Sequence, residues 1–344
     1  MFYRKIVLFL SSLFLLSAFN AYSQTFHRIV FWNVENLFDT VHDDGKEDYD
    51  FLPDGKNRWT KHRYRRKIAD LTAAICRAGG KDWPVMIGLA EVENDNVLKD
   101  LVHHHHIKDQ DYQFLSTHSP DVRGIDVALL YQVDFFKPIH KQEFEIENPK
   151  GTTFKTRNIL YVCGQLPHKE KLHCFVCHFP SKRGGAEQSS KRRQIVAKTL
   201  SNKIDSIRSV ETRPYIMIMG DFNCEPEELS NPSMLQISSI GDKTMDETAL
   251  INLFEKHKTF EIPGSHVFQR IWNQLDQIIV TKNCLEGKHF KVIPESAQNI
   301  QLPGAIIQSE DMKGGIKPFS TFRGPIYKGG VSDHLPIKID VIIQ

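Results

Sequence analysis

The sequence predicts a mixed α/β fold in which two packed sheets carry helices on their outer sides, and three observations predict it. Strand-like apolar runs outnumber helical stretches, and several successive strands have no helix between them. Four segments also end an apolar run on an acid, amide or imidazole: Phe31-Trp-Asn-Val-Glu-Asn-Leu-Phe38, Gly88-Leu-Ala-Glu-Val-Glu93, Gly220-Asp-Phe-Asn223 and Ser332-Asp-His-Leu-Pro336. A doubly wound parallel sheet would need a helix after nearly every strand. Strands that end in polar side chains instead deliver them to one shared pocket. Oxygen donors there favour a hard divalent cation, and neighbouring imidazoles move protons, a combination suited to metal-assisted phosphoester hydrolysis.

The chain opens with Arg4 and Lys5, an apolar run from Ile6 to Phe19 and small or polar residues to Gln24. This outline is that of a secretory signal peptide over residues 1–24, too short to span a membrane comfortably. The expected product is an exported protein, periplasmic or secreted, without stable membrane insertion after cleavage, and a monomer. Loss of Arg4 and Lys5 would bring the 44 Lys and Arg level with the 42 Asp and Glu, so the mature chain is formally neutral. Tight, sequence-independent nucleic-acid binding usually needs a basic excess, which global charge does not supply here. Residues 25–344 contain no linker, repeat or composition break, and their candidate site residues come from both ends, so one domain is expected. Six cysteines are expected as buried, unpaired thiols; Cys174 and Cys177 flank Phe175 and Val176 inside a strand-like run, which weakens a redox or zinc reading.

Along the chain, His27 to Phe31 alternates as a first strand that ends at Asn33. The acidic, turn-rich stretch from Asp39 to Asp54 reads as a solvated loop, with calcium as the alternative. Thr60 caps a helix whose apolar stripe runs through Tyr64, Ile68, Leu71 and Ile75, while Lys61, Arg63, Arg65, Arg66 and Lys67 read as a wet face. Val85 to Leu89 is a buried strand followed by Glu91, and Arg123-Gly-Ile-Asp126 leads into a strand from Val127 to Tyr131. The run His103 to His106 cannot share one face and reads as a solvated helix end. Leu172 to Phe179 is a strand carrying His178, Ser189 to Ile207 has helical spacing, Tyr215 to Met219 leads into Asp221, and Leu275 to Val280 carries Asp276. From Cys284 to Gly330 there are few periodic signals, and the reading is divided between a pocket wall or lid and a plain surface excursion.

Within these segments, Glu91 is the better metal ligand than Glu93, which is expected to support it or to cap the following loop through Asn94. Asp221 and Asn223 suit an acid that handles water and an amide that donates to phosphate. His334 follows Asp333 and needs a charge partner elsewhere, for which Asp276 is the candidate. His178 precedes Pro180-Ser-Lys-Arg-Gly-Gly185, where Lys182 and Arg183 would meet substrate phosphate.

Taken together, these motifs resemble, in order and over essentially the whole mature chain, the endonuclease/exonuclease/phosphatase superfamily, and within it the deoxyribonuclease-like, exported bacterial members. The resemblance implies a four-layer α/β/β/α sandwich with two central mixed sheets and catalysis with Mg²⁺ or Mn²⁺, Ca²⁺ being a further option. Carried over residue by residue, it implies a metal site at Asn33, Glu91 and Asp333, catalytic roles for His178, Asp221, Asn223, Asp276 and His334, and pocket support from Arg123 and Asp126. His178 departs from the repair enzymes, which place a tyrosine in that region. The function implied is a phosphodiester hydrolase, foremost an exported endonuclease acting on DNA or RNA. A phosphatase or phospholipase C-like enzyme acting on lipid headgroup, inositol or sugar phosphates is the alternative, and a non-catalytic binding protein the least favoured.

Overall fold

The computed structural model describes residues 25–148, 154–182, 184–242, 245–309, 312 and 315–343. The leader-like residues 1–24 and Arg183 lie outside the described residues.

Alternating apolar side chains build two sheets, with strands numbered in chain order. The first has six strands: β14 (Phe290–Asn299), β19 (Ile337–Ile343), β1 (Phe26–Leu37), β2 (Pro84–Val92), β4 (Asp126–Gln132) and β3 (Tyr112–Ser116). The second has seven: β5 (Lys137–Phe144), β6 (Ile159–Gln165), β7 (Lys171–His178), β8 (Tyr215–Asp221), β13 (Asp276–Thr281), β10 (Leu250–Asn252) and β9 (Ile237–Ser238). Each is mixed. The pairs β1–β2 and β7–β8 are parallel, whereas β1–β19 and β8–β13 are antiparallel.

The period of two divides each strand between two cores. Phe31, Met86 and Ala90 of the first sheet meet Val176, Met217 and Met219 of the second. Their neighbours Val30, Trp32, Ile87 and Leu89 face outward onto helix α1 (Lys61–Ala78) and helix α2 (Asp95–Val102). On the far side, Phe175, Ile216 and Ile218 pack against Val196, Leu200 and Ile204 of helix α3 (Ala186–Val210). The result is four layers in the order α/β/β/α, each fully buried aliphatic contributing about 1.5–3 kcal/mol. Gly88 is required where the sheets meet, because a Cβ there would collide with Met219 Sδ.

Helix α1 begins where expected: Thr60 is extended and its Oγ1 accepts from Arg63 N at 3.5 Å. Lys67 corrects the wet-face reading. It is 2 % exposed, and its Nζ donates to the Glu35 carbonyl and, at 2.7 Å, to Thr321 Oγ1. The segment from Cys284 to Gly330 is likewise more ordered than its periodicity suggests. It holds all of β14, the hairpin of β15 (Ile306–Ser309) and β16 (Gly315–Pro318), and that of β17 (Phe322–Arg323) and β18 (Ile326–Tyr327). Its Phe322, Gly324 and Pro325 line a cavity beside Glu91, so it forms a wall. Five cysteines are buried free thiols, as expected; Cys76 is exposed. No described helix is long and apolar enough to cross a membrane.

Candidate active site

Strand register assembles the centre. His178 ends β7, Asp221 ends β8 and Asp276 begins β13; His178 pairs with Asp221, and Asp221 with Asp276. Three chemistry-bearing side chains therefore stand abreast at the ends of three neighbouring central strands of the second sheet. From the first sheet, a bulge in β1 after Asn33 and left-handed backbone at Glu35, Asn36 and Glu91 re-aim side chains toward the same place. The end of the chain is stitched to β1. Trp32 Nε1 donates to His334 O at 2.9 Å, and Ser332 Oγ donates to Asn33 O at 2.7 Å.

His334 Nδ1 donates to Asp276 Oδ2 at 2.6 Å, and its Nε2 lies 3.9 Å from Asp221 Oδ2. Burial opposes a charge on this imidazole, yet Asp276, followed by Asp221 and Asp333, holds it well above the ordinary value. Asp221 is pushed up to about 7, by burial first and Asp276 next, with His334 opposing. Its Oδ2 accepts from Asn33 Nδ2 at 3.0 Å, its Oδ1 accepts from Asn223 N at 2.9 Å, and Asn223 Nδ2 donates to Phe179 O at 3.0 Å. His178 Nε2 lies 3.6 Å from Asp221 Oδ2 and 3.8 Å from Glu91 Oε1. Burial, then Arg157, Arg123 and His334, drive His178 well below its ordinary value and so favour its neutral form.

The oxygen donors fit a hard cation. Glu91 Oε2 accepts from Asn36 N at 2.9 Å, which leaves Oε1 directed toward His178. Asp333 is forced upward by burial, and Glu91 adds to the shift, so the two carboxylates repel. Carboxylates held together against repulsion are what a divalent cation resolves. Asn33 stands differently: its Oδ1 accepts from Glu35 N at 3.0 Å and its amide serves Asp221.

Two joined cavities surround the centre. One, of about 370 Å³, is lined by His178, Asp221, Asn223, Arg157 and His334; the other, of about 560 Å³, by Asn36, Phe38, Phe51 and Phe322. They share Glu91, Arg123 and Asp333. Lys182 lines the first cavity but is half exposed and 3.6 Å from Glu228. Asp126 lies outside both: it accepts from Thr117 Oγ1 at 2.6 Å and Ser119 N at 2.9 Å, bracing the turn that carries Asp121 and Arg123. Glu93 Oε2 accepts from Asp39 N at 2.7 Å, fixing the acidic loop, while Asn94 caps α2. In the histidine run, the ring nitrogens of His104 and His106 reach Thr72 Oγ1, and His103 and His105 are exposed.

Sequence reasoning missed four residues here. Arg157 lines the first cavity from just before β6. His266, on β11 (His266–Phe268), which pairs with β12 (Ile271–Asn273), is bridged to His334 by its backbone and has its ring 4.7 Å from that of His334. Burial, aided by His334, drops His266 to about 3. Glu35 accepts from Thr321 N at 2.6 Å and is raised to about 8, by burial and then Asp333. With Lys67 it fastens the β17–β18 wall to β1.

Solved structures share this architecture. An endonuclease/exonuclease/phosphatase family protein from Bacteroides thetaiotaomicron matches with a TM-score of 0.57 at 14 % identity, covering 94 % of this chain and 99 % of that one. D. rerio TDP2 complexed with single strand DNA product matches at 0.56 and 14 % identity, covering 92 % and 99 %. The Bacteroides thetaiotaomicron VPI-5482 mannosyl-6-phosphatase matches at 0.54 and 15 % identity, covering 92 % and 100 %. These likenesses establish the fold. No curated protein sequence matches. The sequence model of the Endonuclease/Exonuclease/phosphatase family matches residues 28–342. The chain therefore belongs to the endonuclease/exonuclease/phosphatase family, whose members are metal-dependent hydrolases of phosphoester bonds.

Proposed function

We propose that this chain is an exported, Mg²⁺-dependent phosphodiesterase and, among diesters, an endonuclease acting on DNA or RNA. The observation that carries the reading is the row Glu91, His178, Asp221, His334, Asp276 at the junction of two cavities. A phosphate bound at the junction has room for an organic group on each side, which is what a diester needs. With a proton affinity near neutrality, Asp221 accepts the proton of the attacking water. Asp276, Asp221 and Asp333 favour the imidazolium form of His334 against burial, which suits it to serve as the acid that neutralises charge on the leaving oxygen. Asn223 and the neutral His178 orient phosphoryl oxygens. A divalent cation held by Glu91 and Asp333 would add Lewis-acid polarisation of a phosphoryl oxygen. Export rests on the leader-like residues 1–24, and mass spectrometry of the mature N-terminus tests it.

A second reading has its own support. The larger cavity sets Glu47 and Asp50 beside Lys56, Asn36, Asn57 and three phenylalanines, a mixed polar and aromatic lining that suits a hydroxyl-bearing group. This favours a sugar, inositol or lipid-headgroup ester, and the mannosyl-6-phosphatase neighbour accords with it. A panel of supercoiled plasmid, RNA, sphingomyelin, hexose phosphate and bis(p-nitrophenyl) phosphate separates the two. Nicked plasmid supports the nuclease; turnover of sugar or lipid phosphates alone transfers the assignment to the second reading.

A further inference from the structure

Arg157 is 5 % exposed and stands in the wall of the smaller cavity, where Asp121 is the carboxylate in contact with it among the described residues. Its Nη1 donates to Asp121 Oδ2 at 3.2 Å and its Nη2 to the Phe179 carbonyl at 2.6 Å, while its buried Nε has no acceptor among the described residues. Asp121 is already engaged. Its Oδ1 accepts from Arg123 N at 2.9 Å and Arg123 Nε at 3.3 Å, and its Oδ2 accepts from Arg123 Nη2 at 3.4 Å. One buried carboxylate thus stands between two guanidinium groups, both of which line the cavity that holds the catalytic side chains. The cations oppose each other: after burial, Arg123 is the next cause that lowers Arg157. Glu91 favours the charge on Arg157 from across the same cavity, but it is also the carboxylate proposed to hold the cation, so Asp121 alone is left in contact with two guanidinium groups and their free N–H groups suit an anion from outside. The Phe179 carbonyl that holds Arg157 also holds Asn223, so the guanidinium and the amide are fixed by a single atom.

We propose that Arg123 and Arg157, spaced by Asp121, form a clamp for the anionic, non-bridging oxygens of the phosphoryl group processed at this centre. The inference rests on the phosphoesterase reading and adds a binding element to it. Arg123 reaches the ligand from the junction of the cavities, and Arg157 does so from the wall beside His178.

The test is thermal unfolding of the full mature chain with metal chelated, in inorganic phosphate against chloride at equal ionic strength. It is paired with steady-state hydrolysis of bis(p-nitrophenyl) phosphate in Mg²⁺. Phosphate is expected to raise the Tm of the unmodified protein, and Arg123→Ala to weaken that response at least tenfold in phosphate concentration and to lower kcat/KM about 100-fold. Arg157→Lys, which keeps the charge and loses the fork, is expected to fall between the two. Arg123 is partly exposed, so its alanine variant remains folded even where changes at Arg157 do not. If phosphate leaves the Tm of the unmodified protein unchanged, the clamp is overturned. The same holds if Arg123→Ala responds to phosphate like the unmodified protein and keeps kcat/KM within twofold, with the phosphoesterase reading left standing. A phosphate response lost in Arg123→Ala, in a protein that hydrolyses none of the esters, would uphold the clamp and sink the activity.

Discussion

Asp221 and Asp276 stand opposite each other in the antiparallel register of β8 and β13 and share one imidazole, His334, at 3.9 Å and 2.6 Å. The asymmetry divides their work. Asp276 is fully buried, holds the ring through Nδ1 and favours its charged form; Asp221 is farther off and raised to about 7, and in the proposed mechanism it is the group that handles water.

Asp276→Asn retains the shape and removes the charge. It is expected to lower kcat by up to about 10⁴-fold, the loss seen when the acid behind a catalytic imidazole is neutralised. Because Asp276 raises His334, its loss also moves the alkaline limb of the pH–rate profile toward lower pH. An alkaline limb that stays in place would contradict the assignment of His334 as the acid.

Asp221 must be ionised to accept a proton, and its value is about 7. Hydrolysis of bis(p-nitrophenyl) phosphate by the unmodified enzyme is therefore expected to fall about tenfold per pH unit on the acid side. Asp221→Asn removes this limb along with most of the activity. A rate that stays flat down to pH 5 would assign the first proton elsewhere.

Glu93 supplies a stability prediction away from the catalytic groups. Burial first, then Asp39, Asp43 and Asp48, raise it from 4.5 to about 9. A carboxyl raised in the folded state binds its proton more tightly there, so its contribution is complete below pH 4.5 and fades as pH rises toward 9. Glu93→Gln cannot titrate. Relative to that variant, the unmodified protein should lose stability between pH 5 and 9, with a slope of up to about 1.4 kcal/mol per pH unit, measurable by urea unfolding. Parallel pH profiles for the two proteins would refute it.

Much of this was legible because strand ends carry local signals. The apolar run before Asp221, the turn before Asp333-His334 and the cap at Thr60 each reveal themselves within about ten residues. Pairing His334 with Asp276, 58 positions apart, followed from the chemistry an imidazole needs. Arg157 and His266 were not legible: each sits at the rim of a short strand and acquires its role only from a partner brought in by tertiary folding. Lys67 did carry a signal. It falls three positions after Tyr64 and four before Leu71, inside the apolar stripe of α1, and the surrounding basic residues masked that placement.

Gly88 tests the packing that brings the sheets together. Gly88→Val places methyl groups where Met219 and Phe31 already lie, and should destabilise the fold by about 1–3 kcal/mol as an overpacked core does. Urea unfolding of the variant at an unchanged midpoint would mean that the sheets are free to separate.

The central claim is that Glu91 supplies a metal-binding carboxylate to the row that ends at Asp276. The most direct measurement is calorimetric titration of Mg²⁺ into the unmodified protein and into Glu91→Ala, with bis(p-nitrophenyl) phosphate hydrolysis followed on the same samples. Saturable binding that disappears in the variant, together with at least a 100-fold fall in rate, is the predicted result; equal Mg²⁺ affinity and undiminished hydrolysis in Glu91→Ala would contradict it.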